Sequence, residues 1–266
     1  MFTHRVTLLV GHFGSGKTEV AINGALELAR RGERVTLVDL DTVKPYFRCR
    51  ALAPRVTEAN VRIVASDVER AGMDLPTMSS DLHDVFREDD RRVIVDVGGD
   101  PVGALAIGAI ADALPRGEVE HLLILNFARP HTETVAQAVA MARAIEAAAR
   151  LPLTGLVANT NLMGETTLDL LRNGLDLTRQ TAAILNIPVA FVAVEGRLVG
   201  ALAPGWASCP VLPIRRLVFP PVGIPEGPAA PRVPFAVPRR PLPASRVAPA
   251  PTAASPAPRV IAVRGA

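Results

Sequence analysis

The stretch "GHFGSGKTE", Gly11–Glu19, follows the apolar run "RVTLLV" (5–10) and opens the amphipathic run "TEVAINGALELARRG" (18–32). Gly11, Gly16, Lys17 and Thr18 match G-x-x-x-x-G-K-[ST] without a gap. Glycines at these places let the backbone wrap until its N–H groups converge on phosphate oxygens, and the following helix aims its positive end at the same point. Gly11, Gly14, Ser15, Gly16, Lys17 and Thr18, with Glu19 just beyond, are therefore read as a nucleotide cradle. Lys17 reaches the β- and γ-phosphates, and the Thr18 hydroxyl ligates Mg²⁺. The chain has only two lysines, Lys17 and Lys44, against many arginines, so a lysine here marks a need for a compact point charge.

Outward from this loop, apolar runs alternate with helical patterns up to about Phe219. Strands are predicted at 5–10, 34–40, 61–65, 92–97, 121–127, 153–159 and 188–194. They are continuous Val/Leu/Ile runs, as strands buried on both faces require. Helices are predicted over "TEVAINGALELARRG", ending at Gly32, and "TETVAQAVAMARAIEAAAR", with Thr132 as its N-cap. The fold class is α/β, a mostly parallel sheet with helices on both faces. Aromatic residues make up only 4% of the chain, so the core is aliphatic.

Residues 1–223 read as the nucleotide-binding domain, and 224–266 as a Pro/Ala/Arg-rich tail expected to be disordered with polyproline II character. The formal net charge is +3, yet no acidic residue follows Glu226, while Arg232, Arg239, Arg240, Arg246, Arg259 and Arg264 all do. The basic excess thus belongs to the tail and does not argue for a nucleic-acid partner. PxxP spacings such as Pro225 to Pro228 are expected from composition alone. Cys49 and Cys209 form neither a disulfide framework nor a metal motif, which suits a reducing cytoplasm. No secretory leader is read, and "VGALAIGAIADAL" is too short for a membrane span and carries Asp112. A cytoplasmic location with no membrane insertion is expected.

Two further stretches complete the site. "RVIVDVGGD" places Asp96 at the end of an apolar strand, where a carboxylate holds Mg²⁺, and Gly99 where a backbone N–H meets the γ-phosphate. "VTLVDLDTVKPYFR" places Asp39 and Asp41 at the end of another strand, one residue apart. One can support the magnesium shell while the other orients an attacking water. Arg48 and Arg50 follow, read as surface or ion-pair residues.

"GHFGSGKTE", "DLDTVKPYFR", "VDVGGD" and "NTNL" together resemble the CobQ/CobB/MinD/ParA-type nucleotide-binding proteins of the SIMIBI class of P-loop NTPases. Within that class the chain resembles a poorly characterised bacterial and archaeal group of ATP-binding proteins. The resemblance covers about residues 4–219. It implies that Asp39 supports the Mg²⁺ shell and that Asp41 positions the hydrolytic water. It also implies that Asn159, at the end of the strand before "NL", hydrogen-bonds adenine; the N-K-x-D of guanine-selecting proteins is absent, so ATP is preferred over GTP. MinD- and ParA-like members carry a signature lysine where this chain has His12, so a lysine-bridged sandwich dimer is not implied, although a homodimer of another kind is left open.

The expected function is a Mg²⁺-dependent ATP switch with slow hydrolysis, acting on an unidentified protein client, with loops around Asp41–Arg48 and Gly98–Asp100 ordering on nucleotide. Two alternatives stand beside it. One is an ATP-dependent small-metabolite kinase or carboxylate-activating enzyme of dethiobiotin-synthetase-like type. The other is a non-hydrolysing scaffold whose tail recruits a partner. No CxxC pair supports a carried iron–sulfur cluster.

Overall fold

Eight apolar runs form one sheet in which every strand pairs in parallel with its neighbours. The structure is a computed structural model and describes residues 1–40, 59–65, 80–98 and 101–218. The strands are β1 (Val6–Val10), β2 (Val35–Leu40), β3 (Val61–Ala65), β4 (Arg92–Val97), β5 (Val119–Leu125), β6 (Gly155–Ala158), β7 (Val189–Glu195) and β8 (Val211–Ile214). The helices are α1 (Lys17–Arg30), α2 (Ser80–Arg87), α3 (Pro101–Ile110), α4 (Val135–Ala149), α5 (Leu168–Leu185) and the single turn α6 (Gly196–Val199). Seven strands lie within about two residues of the runs read from the sequence.

The eighth, β8, was not expected. Pro213 interrupts its four residues, and a proline in a run argues against a paired strand. It is tolerated because β8 is an edge strand, pairing only with β7 among the described residues.

The strand order is β3-β2-β4-β1-β5-β6-β7-β8. The chain leaves β1 toward one edge, returns through β4 beside β1, then crosses to β5 on the other side. The order therefore changes direction around β1, and the crevice beyond the carboxyl ends there is where open parallel sheets bind ligands. Strand alternation sends Leu9, Leu37, Ile94 and Ile124 to one face, packed with Val20, Ala21, Ala25 and Leu28 of α1. It sends Leu8, Val38, Val95 and Leu123 to the other, under α2, α3 and α4. Leu171 and Leu175 of α5 cover Val192 and Val194 of β7.

Helix ends show which local signals prevailed. α1 stops before Gly32, whose φ of 84° is left-handed and whose N–H donates to Ala29 O at 2.9 Å. α4 starts two residues later than the sequence suggests. Thr134, not Thr132, is its N-cap and closes a capping box with Gln137. Thr132 instead buries its hydroxyl, donating to Asn126 O at 2.7 Å. The run "VGALAIGAIADAL" forms α3 and a 3₁₀ turn at Ala111–Ala113. Among the described residues, no helix is long and apolar enough to cross a membrane.

His121 on β5 is wholly buried, and its Nε2 has no hydrogen-bond partner. Burial lowers its pKa to about 4, against a weaker opposing pull from the carbonyls of Pro152 and Leu151. The neutral ring is thus the folded form, and protonation favours unfolding. Its contribution is complete above the unfolded value of about 6.5 and is lost as pH falls through about 4. Between pH 7 and pH 5 this should remove about 2 kcal/mol of stability. Urea unfolding of the wild type and His121→Gln at the two pH values should show a loss smaller by that amount in the variant. Equal losses would contradict this account of His121.

Candidate nucleotide site

The loop from Gly11 to Gly16 joins β1 to α1 at the centre of the sheet's carboxyl edge. Its path depends on backbone angles that side chains rarely adopt: φ is 151° at Gly11, 79° at Gly14 and 90° at Gly16. It also depends on close approach. A Cβ on Gly11 would lie 2.5 Å from Ile124 O of β5, and one on Gly16 would lie 2.4 Å from Asn159 Nδ2 beyond β6. The loop is pressed against the ends of the next two strands, and only glycine fits at those contacts.

Lys17 is buried and reaches back across the loop. Its Nζ donates to Gly11 O at 3.0 Å and His12 O at 3.2 Å. Gly16 is the N-cap of α1, and no side chain caps that helix. Thr134 and Thr167 cap α4 and α5 with their hydroxyls. The first amides of α1 are thus left for the loop side, as phosphate recognition requires.

Asp39 and Asp96 are both buried and sit in register on neighbouring strands β2 and β4. Alternation from Leu37 and Ile94 places them on the α1 face, and Asp96 is also in register with Leu9, two residues before Gly11. Parallel neighbours lie about 4.8 Å apart, so the two aspartates stand side by side near the edge from which the loop leaves. With the half-buried Thr18, this donor set is all oxygen and hard, the kind Mg²⁺ takes alongside phosphate and water. Asp41, Gly99, Arg48 and Arg50 lie outside the described residues.

A cavity of about 320 Å³ runs from the loop toward the ends of β6, β7 and β8. Gly14, Gly16, Lys17 and Thr18 line its end at the loop. Met163, Leu171, Ala193, Ile214 and Val218 give it an apolar far end. Pockets that combine apolar lining with a few placed polar groups are those that take small ligands.

Two expected ligands have structural work of their own. Asn159 lines the cavity, but its Nδ2 donates to Ser15 O at 2.6 Å, bracing the phosphate loop. Glu19 also lines the cavity, yet its carboxylate accepts the backbone N–H of Leu217 and of Val218, the latter at 2.9 Å. Together with Asn23, which donates to Arg215 O and accepts from Arg215 N, it ties the chain after β8 to α1. Arg129, which the sequence did not single out, also lines the cavity beside Gly14.

Substitution at the glycine contacts gives a direct check. Gly11→Ala places a Cβ inside a backbone carbonyl and should cost about 2 kcal/mol or more of stability. Asn159→Ala removes one buried hydrogen bond to the loop and should cost about 1 kcal/mol. Denaturant melts rank the two, and a neutral Gly11→Ala would contradict the packing described.

No protein-family model and no curated protein matches the chain. Solved structures do. The signal recognition particle 54 kDa protein of Aeropyrum pernix K1, in complex with GDP, is 26% identical with a TM-score of 0.46 over 70% of this chain and 40% of that one. The cell division protein FtsY of Thermotoga maritima is 20% identical at 0.48, over 71% and 61%. FlhF complexed with GTP and Mg²⁺ is 16% identical at 0.44, over 71% and 65%. This chain thus spans between 40% and 65% of the lengths of those proteins. With TM-scores below 0.5, the likenesses do not carry the fold assignment; the chain's own architecture does. An all-parallel sheet, a G-x-x-x-x-G-K-[ST] loop between its central strand and α1, and in-register aspartates near the ends of β2 and β4 give this chain the layout of a P-loop nucleotide-binding fold.

Proposed function

We propose that the chain is a Mg²⁺-dependent nucleotide switch that binds ATP and hydrolyses it slowly for a protein client. The observation that carries this reading is the meeting of three things at one edge of the sheet: the uncapped start of α1, the buried Lys17, and the in-register pair Asp39 and Asp96. Each has an ordinary structural explanation alone. Together they supply a cation for the phosphates, amides for their oxygens, and carboxylates for the metal.

Lys17 holds the β- and γ-phosphates and lowers the cost of charge building there. Thr18, Asp39 and Asp96 would hold Mg²⁺, which when bound neutralises the phosphate oxygens. Asp41 orients the attacking water. The preference for ATP rests on "NTNL", which offers neither the lysine nor the aspartate of a guanine-selecting strand end. That the switch serves a client rests on resemblance to MinD- and ParA-type proteins, and a client is proposed only as a class.

The test is ADP release by purified protein with Mg·ATP, beside phosphate release with Mg·GTP. Asp41→Ala should leave nucleotide affinity near wild type and slow turnover by about a hundredfold. Turnover unaffected by the substitution would remove Asp41 from the mechanism, and faster release from GTP would reverse the base preference.

A further inference from the structure

We propose that Arg129 binds the phosphate chain of the nucleotide together with Lys17, a role that rests on the nucleotide reading above. Arg129 lies in the turn "NFARPHT" after β5, the strand next to β1, and so comes back against the phosphate loop. Two contacts fix that apposition. The Arg129 Cδ lies 4.0 Å from where a Cβ on Gly14 would be, and the His131 ring centroid is 5.4 Å from that of His12.

The turn is held from within. Arg129 N donates to Asn126 O at 3.2 Å, and Ala128 N donates to Asn126 Oδ1 at 3.0 Å. The Thr132 hydroxyl donates to Asn126 O at 2.7 Å and lies 3.2 Å from Arg129 O. Asn126 also ties the turn to the end of β6, donating to Asn161 O and accepting from Asn161 N. The backbone carrying Arg129 is thus set in place before any ligand arrives.

The Arg129 Nε is shut off from solvent without a hydrogen-bond partner, and no carboxylate pairs with the guanidinium among the described residues. Elsewhere this chain pairs its arginines with acids: Arg5 with Glu118, Arg62 with Glu88, Arg92 with Glu33, Arg197 with Glu195. The two acids lining the same cavity are already engaged, Glu19 by the amides of Leu217 and Val218, Glu195 by Arg197 and Arg216. A half-buried cation with no carboxylate beside it among the described residues carries a desolvation cost that a bound anion would offset. It shares a cavity wall with Lys17 and the phosphate loop, and a guanidinium fork matches phosphate oxygens in pairs. A phosphate chain is the anion that this position lacks.

Calorimetric titration of the full chain with ATP, ADP and AMP, each with Mg²⁺ and repeated with GTP, tests the assignment. Arg129→Gln should weaken ATP and ADP on the order of tenfold, with a smaller loss for AMP, and Arg129→Lys should fall between. Both variants should melt without ligand at or above the wild-type temperature, because among the described residues no carboxylate pairs with the guanidinium. Wild-type affinities in Arg129→Gln would overturn the proposal while leaving the nucleotide reading intact. Equal losses from ATP down to AMP would overturn it too, since they would place the contact at the α-phosphate, sugar or base and not with Lys17 at the β- and γ-phosphates. Wild-type protein that binds none of these nucleotides would overturn the nucleotide reading first, and this assignment with it.

Discussion

The site depends on one constraint, the close approach of the phosphate loop to the ends of β5 and β6. Gly11 lies against the carbonyl of Ile124, and Gly16 against the side-chain amide of Asn159. A loop of left-handed glycines has little reason to hold one shape by itself. Pressed against two strand ends and tied by Asn159 to Ser15 O, it has no room for another. The uncapped start of α1 and the inward reach of Lys17 follow from that shape. So does the apposition of the turn carrying Arg129, because it comes from the same end of β5.

Charge placement follows the same order. Lys17, Asp39 and Asp96 are buried where most charged residues of a fold are excluded. They cluster at the carboxyl edge around β1, the point where the strand order turns and the sheet leaves a crevice. Other buried charge in the described residues is structural. Glu120, at the opposite end of β5, accepts from Thr3 N, Thr3 Oγ1 and Thr7 Oγ1. The contrast separates a carboxylate that anchors a strand from the pair that faces the loop.

The sequence made much of this legible, for physical reasons that also mark its limits. Seven strands could be read because both their faces are buried, which leaves continuous apolar runs. The loop was legible because its glycines and Lys17 are fixed by local backbone geometry at set spacing. β8 was hidden by Pro213, whose cost vanishes only at an edge that the sequence does not reveal. Glu19 read as part of the cradle, yet its carboxylate takes amides nearly two hundred residues away. Arg129 carried no spacing signal, since its meaning comes from β5 lying beside β1. In each case the missing information was a contact between distant segments, not a local preference.

The central claim is that the loop binds nucleotide phosphates through Lys17. Equilibrium titration of the wild type and Lys17→Ala with Mg·ATP and Mg·GTP tests it most directly. The account predicts saturable binding by the wild type and its loss in Lys17→Ala, with both proteins equally folded before ligand is added. Binding of equal strength in the two proteins would contradict it, because a phosphate cradle deprived of its buried cation cannot hold the same charge.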